Sequence, residues 1–171
     1  AFSSQKAFDS LTKIGVEVML NTAVKDFDGN RVVLGDGKEI PCKAFVWSAG
    51  VRGVDLKGIV SECIGRSNRI IVDRFNRVFN MEHVYAIGDI ALMKEDNFLN
   101  GHPMVAQVAI QQADNLARNI IAHYKSATLK PFRYKNLGTL ATIGRNKAVA
   151  DFPFIKLKGF IAWVLWLIVH L

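Results

Sequence analysis

Residues 84–90, with the sequence VYAIGDI, are the stretch on which the fold prediction depends. The first four residues are apolar and predict a short buried strand, which runs into Gly88 and the carboxylate of Asp89. Glycine lets a backbone pass very close to a ligand, and a carboxylate accepts hydrogen bonds from sugar or sugar-alcohol hydroxyls. A plain turn closed by an aspartate explains the same residues. The neighbouring segments must therefore decide between a turn and a ligand site.

A helix is predicted over residues 104–124, after a polar loop at residues 92–103. Its buried face is predicted to contain six residues, namely Ala109, Ala113, Leu116, Ala117, Ile120 and Ile121. Its polar face is predicted to contain four residues at helical intervals, namely Gln107, Gln111, Asp114 and Arg118. The last two of these can form an ion pair. Because a helix N-terminus presents free N–H groups and a partial positive charge, the start of this helix suits a negatively charged ligand.

The other predicted elements mix helix and strand. A helix over residues 2–14 ends at Gly15. Strands are predicted at residues 16–20, 24–27, 31–34, 44–47, 69–72, 132–135, 139–143 and 148–152. Turn signals at Asp28-Gly29 and Asp36-Gly37 indicate a small antiparallel meander. This order of elements predicts the α/β class.

The net charge of +7 is concentrated in the C-terminal part of the sequence. Residues 1–123 hold 14 basic and 14 acidic residues, whereas residues 124–171 hold eight basic residues and one acidic residue, Asp151. Basic and aromatic residues together fit nucleic acid or an anionic membrane surface. Nucleic acid is disfavoured because Phe160, Trp163 and Trp166 stand in a continuous aliphatic run rather than among the basic residues. The sequence therefore predicts membrane contact.

That aliphatic run, residues 159–169, contains no polar side chain and follows Lys156 and Lys158. We expect Phe160, Trp163 and Trp166 to make the membrane contact, since aromatic side chains favour the interface. A helix of this length measures about 16 Å, which is shorter than the roughly 30 Å hydrocarbon core. A buried helix, an interfacial anchor and the front of a spanning helix all fit this pattern.

The cysteines and histidines indicate no metal or redox site. Cys42 and Cys63 are isolated, without a CxxC pair, and the four histidines have no ligand spacing. We expect free thiols. The sequence begins without an initiator methionine and stops inside the apolar run, so we treat it as part of a longer protein.

Four segments carry a family resemblance. VYAIGD resembles the second FAD-contacting motif of the two-dinucleotide-binding-domain flavoproteins, and FVWSAGV, residues 45–51, resembles the strand and turn by which their NADH domain returns to the FAD domain. AQVAIQQADNLARNI, residues 106–120, is similar to the AQxAxQ segment of type II (non-proton-pumping) NADH:quinone oxidoreductases. PFRYKNLGTLATIGRNKAVAD, residues 131–151, resembles the start of that family's C-terminal membrane-associated domain. The four segments follow the family's order.

The resemblance implies the C-terminal portion of a Rossmann-like α/β flavoprotein with a small β unit and a hydrophobic C-terminal helix. Residues 1–50 would end the NADH-binding domain, residues 51–126 would form the second segment of the FAD-binding domain, and residues 127–171 would begin the membrane-associated domain. The parent protein would pass two electrons from NADH through non-covalent FAD to a membrane quinone, without pumping protons.

The resemblance also implies site residues. Gly88, Asp89, Ala106 and Gln107 would contact FAD, and the backbone of Ala49 and Gly50 would lie where the nicotinamide approaches. Gln107, Gln111 and Lys147 would line the quinone side, although an exposed polar stripe explains the glutamines and a solvated side chain explains the lysine. The protein would be associated with the cytoplasmic face of a bacterial inner membrane, or an organellar equivalent. A homodimer is compatible with it.

One departure from the family is clear, because the sequence has no GxGxxG fingerprint for a pyrophosphate. We therefore expect the adenine half of the FAD site and most of the NADH site to lie upstream, and the 171-residue chain alone to be inactive. Two rival functions remain. A sulfide:quinone oxidoreductase would need reactive cysteines near the flavin, and Cys42 and Cys63 lie in neither predicted flavin contact. A non-enzymatic membrane-binding module is the other.

Overall fold

The structure is a computed structural model that describes residues 2–170. The chain forms two compact units. Unit 1 combines the N-terminal part up to Ser48 with the C-terminal part from Leu137, and unit 2 runs from Ala49 to Asn136. The mixture of helices and sheets confirms the predicted α/β class.

The N-terminal part of unit 1 contains one helix and one antiparallel sheet. Helix α1 spans Phe2–Lys13, and strands β1 (Val24–Phe27), β2 (Arg31–Leu34) and β3 (Glu39–Pro41) pair in the order β1-β2-β3. The carboxylate of Asp28 accepts hydrogen bonds from the backbone N–H groups of Asn30 and Arg31, each at 2.9 Å, and closes the first turn. The predicted meander is therefore confirmed.

Two strands predicted in this part are absent. Residues 16–20 and 44–47 have no regular strand structure. Val46 is 85% exposed and Trp47 is 61% exposed, so the apolar run at 44–47 is not a buried strand of unit 1. An apolar run becomes a buried strand only where a partner strand pairs with it, and these two segments pair with no strand in the part of the chain that the structure describes.

The C-terminal part of unit 1 is a second antiparallel sheet with a helix. Strands β7 (Thr139–Thr142), β8 (Ala148–Asp151) and β9 (Lys156–Lys158) pair in the order β7-β8-β9. The apolar run forms helix α3, Gly159–His170, while Leu171 lies outside the described residues. The helix packs on β8 through three buried alanines, namely Ala148, Ala150 and Ala162.

Unit 2 is built on a small mixed sheet. Strands β4 (Ile64–Gly65) and β5 (Arg69–Val72) are antiparallel, and β5 pairs in parallel with β6, Ala91–Met93. All three residues of β6 are buried, although a polar loop was expected from residue 92. The charged residues that follow Met93 suggested that loop, and pairing with β5 buries the three apolar residues before them.

The stretch at residues 84–87 is extended but is not a regular strand. It has a single bridge, between Arg77 and Tyr85, and its backbone otherwise meets residues 76–78 through isolated hydrogen bonds. Only Ala86 in this stretch is fully buried. The predicted buried strand is therefore wrong, whereas the turn that follows it is present as a single 3-10 turn, Gly88–Ile90.

Helix α2 spans Ala106–Tyr124, close to its predicted limits. Its buried residues are Val108, Gln112 and Asn119. Four residues of the predicted buried face are exposed, namely Ala113, Ala117, Ile120 and Ile121. The amide side chains can be buried because each forms a hydrogen bond to neighbouring backbone. The Asp114–Arg118 ion pair is confirmed at 3.5 Å.

Candidate functional site

Gly88 is fixed against helix α2. Its backbone N–H donates to Oε1 of Gln112 at 2.7 Å, and its φ is +69°. A Cβ at this position would lie 3.1 Å from the Cβ of Ala109. Glycine is therefore favoured here both by the left-handed backbone and by the close approach to the helix. Gln112 was missed by the sequence analysis, since no local pattern indicates a partner 24 residues away.

Asp89 follows this anchored glycine and is exposed. Because Gly88 is tied to the helix through its backbone, the position of the Asp89 backbone is also fixed. An exposed carboxylate on a fixed backbone is suited to accept hydrogen bonds from a hydroxylated ligand.

The N-terminus of α2 has no side-chain cap. Val105 precedes the helix in an extended conformation, makes no capping side-chain hydrogen bond, and no acidic residue lies in the first turn. Ala106 is exposed and Gln107 is half-buried. The helix dipole therefore leaves a partial positive charge at this end of α2.

Four amide side chains form a row along α2 at intervals of four residues, namely Gln107, Gln111, Asn115 and Asn119. We call it the amide row. Asp114 and Arg118, the other two residues of the predicted polar stripe, are exposed and form their ion pair. The repeat of amides every fourth residue is visible in the sequence, but the partners of these amides are not.

The amide row holds the segment of residues 130–135. Gln111 both donates to the carbonyl oxygen of Lys135 and accepts from its N–H, at 2.9 Å each. Asn119 forms the same pair with the backbone of Lys130, at 2.8 Å each. The strand predicted at residues 132–135 is therefore absent because side chains of a helix, rather than another strand, satisfy these backbone groups.

At the start of α2, the hydroxyl of Tyr134 donates to Oε1 of Gln107 at 3.3 Å. The two glutamines predicted at the quinone side thus contact consecutive residues of the segment 130–135. The structure therefore places Gln107 and Gln111 on one face of α2 with one neighbouring segment.

The remaining predicted residues lie elsewhere. Ala49 and Gly50 are exposed at the beginning of unit 2, and Gly50 has a φ of +82°. Lys147 is exposed in unit 1, in the turn that joins β7 to β8.

A buried histidine lies in the segment before α2. His102 is 1% exposed and packs against the rings of Phe98, Phe132 and Tyr134. Its Nε2 lies 3.6 Å from Oε1 of Glu95, which also lies 3.3 Å from Nε of Arg74. Burial lowers the pKa of His102, and the nearby Glu95 carboxylate only partly opposes this. His102 is therefore neutral near pH 7.

The cysteines and acidic residues form no metal site. Among residues 2–170, no group of three or more His, Cys, Asp or Glu residues could hold a metal ion. Cys42 and Cys63 are free, and the buried thiol of Cys63 donates to the carbonyl oxygen of Phe79 at 2.8 Å. Both thiols are as expected from the sequence.

Helix α3 exposes a large apolar surface. Phe160 is 61% exposed and stacks on Trp163, with ring centroids 5.6 Å apart. Trp163 and Trp166 are half-buried and pack on the alanine cluster of unit 1. In the described part of the chain, no helix has the length and apolar character needed to cross a bilayer.

Two family models match the chain. The model of pyridine nucleotide-disulphide oxidoreductases matches residues 2–113, and the model of the NDH2 C-terminal domain matches residues 136–171. The type II NADH:quinone oxidoreductase NdhA of Mycobacterium tuberculosis is 37% identical over 180 residues. The chain belongs to the type II NADH:quinone oxidoreductase family. This membership confirms the resemblance carried by the four sequence segments.

The chain spans about a third of the length of the family members that it matches. The match to NdhA includes 97% of this chain and 37% of NdhA. The mitochondrial internal alternative NAD(P)H-ubiquinone oxidoreductase A1 of Arabidopsis thaliana is 32% identical, with 94% of this chain and 34% of the relative covered.

Solved structures agree in fold. The structure of NDH2 from Plasmodium falciparum in complex with NADH matches with a TM-score of 0.83 at 18% identity, and the match covers 99% of this chain and 50% of that one. The sulfide:quinone oxidoreductase of Aquifex aeolicus matches with a TM-score of 0.71 at 16% identity, over 94% of this chain and 42% of that one. The chain therefore has the fold of about half of an NDH2 structure.

Proposed function

We propose that the chain is part of a longer enzyme that transfers two electrons from NADH through FAD to a membrane quinone. One observation carries the proposal. Gly88 is held against α2 by Gln112 in a left-handed conformation where a side chain would crowd Ala109, and this anchors the backbone that carries the exposed Asp89. A backbone built for close approach and an adjacent free acceptor fit a bound dinucleotide. The names of the relatives support NADH and quinone as the substrates.

FAD fits the residues around this turn. Asp89 would accept a hydrogen bond from a ribityl hydroxyl, and the N–H groups of Ala106 and Gln107 would stabilise negative charge on the isoalloxazine. FAD, when bound, supplies the chemistry of accepting a hydride and releasing two electrons. A buried amide group, Nε2 of Gln112, has no partner among the described residues and lies beside the same turn.

The substrates would approach through different residues. The backbone of Ala49 and Gly50 would face the nicotinamide, and the left-handed φ of Gly50 supports a close backbone approach there. Gln107 and Gln111 would line the quinone side, since both are half-buried at the N-terminal end of α2. Lys147 is proposed for the same side on the family resemblance alone.

The membrane would bind the apolar surface of α3. Phe160, Trp163 and Trp166 would contact the interface, with the basic side chains of Lys156 and Lys158 next to lipid phosphates. We assign residues 1–50, 51–126 and 127–171 to the NADH, FAD and membrane-associated domains. The location would be the cytoplasmic face of a bacterial inner membrane or its organellar equivalent, and a homodimer is compatible with the proposal.

The rival functions have less support. A sulfide:quinone oxidoreductase shares the fold, but the thiol of Cys63 is buried and donates a hydrogen bond to the carbonyl oxygen of Phe79. A non-enzymatic membrane module would not need a glycine-only turn beside an uncapped helix.

Replacement of Asp89 by asparagine in the full-length protein tests the site. We expect FAD to bind at least about tenfold more weakly, because a charge-assisted hydrogen bond becomes a neutral one. Asp114→Asn, an exposed carboxylate on α2, is the matched control and should not change FAD affinity. FAD affinity is measured by the quenching of flavin fluorescence. Equal affinities for the two variants would contradict the assigned role.

The 171-residue chain on its own provides a second test. It lacks any GxGxxG segment, so we expect it to bind FAD weakly and not to oxidise NADH. Purified chain with one flavin per molecule in its absorbance spectrum would refute this.

A further inference from the structure

Arg69, the first residue of β5, is 4% exposed and joins two segments of unit 2. Its Nη2 donates to the carbonyl oxygen of Ala91 and, at 3.1 Å, to that of His102. Ala91 directly follows the Gly88–Ile90 turn, and His102 lies four residues before the start of α2. One guanidinium therefore connects the segment that carries Asp89 to the segment that begins the helix.

The backbone around this guanidinium is closely packed. Gly101 has a φ of +83°, and a Cβ there would lie 3.2 Å from Nη1 of Arg69 and 2.5 Å from Cδ1 of Leu92. The chain before α2 thus passes directly over the guanidinium. A different side chain at position 69 would leave both carbonyl groups without this donor.

The positive charge of Arg69 has no close counter-charge in unit 2. Among the described residues, no carboxylate lies within ion-pair distance of it, and its buried Nε has no hydrogen-bond partner. Burial lowers the pKa of Arg69, while the charge of Asp89 raises it, so the two groups interact electrostatically. Because arginine stays protonated in proteins, a fixed cation remains buried near the Asp89 turn.

A buried and unpaired cation is costly, so its presence needs an explanation. Two carbonyl dipoles compensate part of the cost, and a negatively charged ligand would compensate more. Solvent screens such a charge weakly, so its field extends further than that of a surface arginine.

We propose that Arg69 is a positioning residue that fixes the Asp89 turn relative to the start of α2, and that its buried charge favours the reduced form of the bound FAD. This inference rests on the proposed function, because it takes FAD as the ligand of this turn. Two separate effects follow, one on the affinity for FAD and one on its midpoint potential.

Two variants of the full-length, FAD-loaded protein separate these effects. Arg69→Met removes the charge and both hydrogen bonds, and should lower the flavin midpoint potential by about 30 mV, which corresponds to a tenfold weaker preference for the reduced form. Arg69→Lys keeps the charge but not the planar fork, so it should leave the potential near that of the unmodified protein and weaken FAD binding about tenfold. Arg118→Met, which removes an exposed arginine of α2, is the control and should change neither value.

Each result decides one part of the inference. An equal midpoint potential for Arg69→Met and Arg118→Met would overturn the effect of the charge. Unchanged FAD affinity of Arg69→Lys would overturn the positioning role. If Arg69→Met does not fold, the midpoint potential is measured with Arg69→Gln, which also removes the charge. Absence of flavin in the unmodified full-length protein would instead overturn the proposed function. This outcome is separate from the others, because it is measured without any variant.

Discussion

Helix α2 in unit 2 and helix α3 in unit 1 are held by different forces. Side-chain amides of α2 hold the backbone of Gly88, Lys130 and Lys135 by directional hydrogen bonds. Helix α3 instead packs on β8 through small alanine side chains and half-buried tryptophans. Hydrogen bonds fix atoms to within a few tenths of an ångström, whereas apolar contacts allow sliding. The first arrangement suits a cofactor, and the second suits a fluid membrane surface.

The largest effect that distinguishes the two helices is expected from Gly88→Ala. The left-handed φ costs about 1–2 kcal/mol for an alanine, and the close approach to Ala109 adds an overpacking cost of about 1–3 kcal/mol. Gly58→Ala is a matched control, since Gly58 has a φ of +87° but an added Cβ would contact nothing within 4 Å. Urea unfolding of both variants measures the difference. Equal losses of stability would show that the approach of the turn to α2 is not tight.

The amide row provides the next test. Asn119→Ala removes two hydrogen bonds from a residue that is 7% exposed and leaves the backbone N–H of Lys130 without its acceptor, at a cost of about 1–3 kcal/mol. Asn115→Ala removes one bond of 3.2 Å to the same residue and should cost less than about 1 kcal/mol. The free energy of unfolding, measured in urea, checks the order. If the two variants were equally stable, the paired amide contacts would not hold the segment 130–135.

For α3 we expect a change in membrane binding rather than in stability. Phe160→Ser removes an exposed aromatic ring and should weaken partitioning to anionic vesicles roughly fivefold, or about 1 kcal/mol, since interfacial burial of the ring is incomplete. Ile14→Ser at the end of α1 is the control, because Ile14 is 59% exposed and Phe160 is 61% exposed. Flotation with vesicles measures both. A similar loss of binding in the two variants would mean that α3 has no special role.

The smallest expected effect is the pH dependence of stability from His102. Its pKa in the folded protein lies below the ordinary value of 6.5, so the unfolded chain binds more protons between those two values. Stability should therefore fall as the pH drops below about 6.5, and this slope should be smaller in His102→Phe. Groups that face the imidazole are Glu95, Arg69 and Arg74.

This slope of stability against pH is measured by thermal unfolding between about pH 5 and 8, the range in which histidine titrates. His123→Gln, which replaces an exposed histidine in the last turn of α2, is the control and should keep the slope. A His102→Phe variant with an unchanged slope would show that the buried imidazole does not titrate as its burial requires.

The sequence was informative where the signal is local. The turns of unit 1, helix α2 and the apolar helix α3 follow from local residue patterns. Helix packing was not predictable in the same way, because hydrophobic periodicity placed Ala113, Ala117 and Ile121 inside and Gln111 outside. The burial of Asn119 and Gln112 depends on backbone partners that are 11 and 24 residues away.

The site was predictable only in part for the same reason. Gly88 and Asp89 stand in a recognisable motif, but Arg69 acts through carbonyl groups 22 and 33 residues further along the chain. No pattern in a single sequence indicates such a contact. The predictions of strands at residues 44–47 and 84–87 were wrong, because an apolar run shows that burial is favourable but does not show which strand will pair with it.

The most direct test of the account follows the absorbance of bound flavin in the full-length protein. We predict one FAD per chain. Its absorbance in the flavin band, at about 450 nm, is lost on addition of NADH and returns on addition of a quinone. A purified, folded protein that holds no flavin, or whose flavin NADH does not reduce, would contradict the assignment of the Gly88–Asp89 turn to a cofactor site.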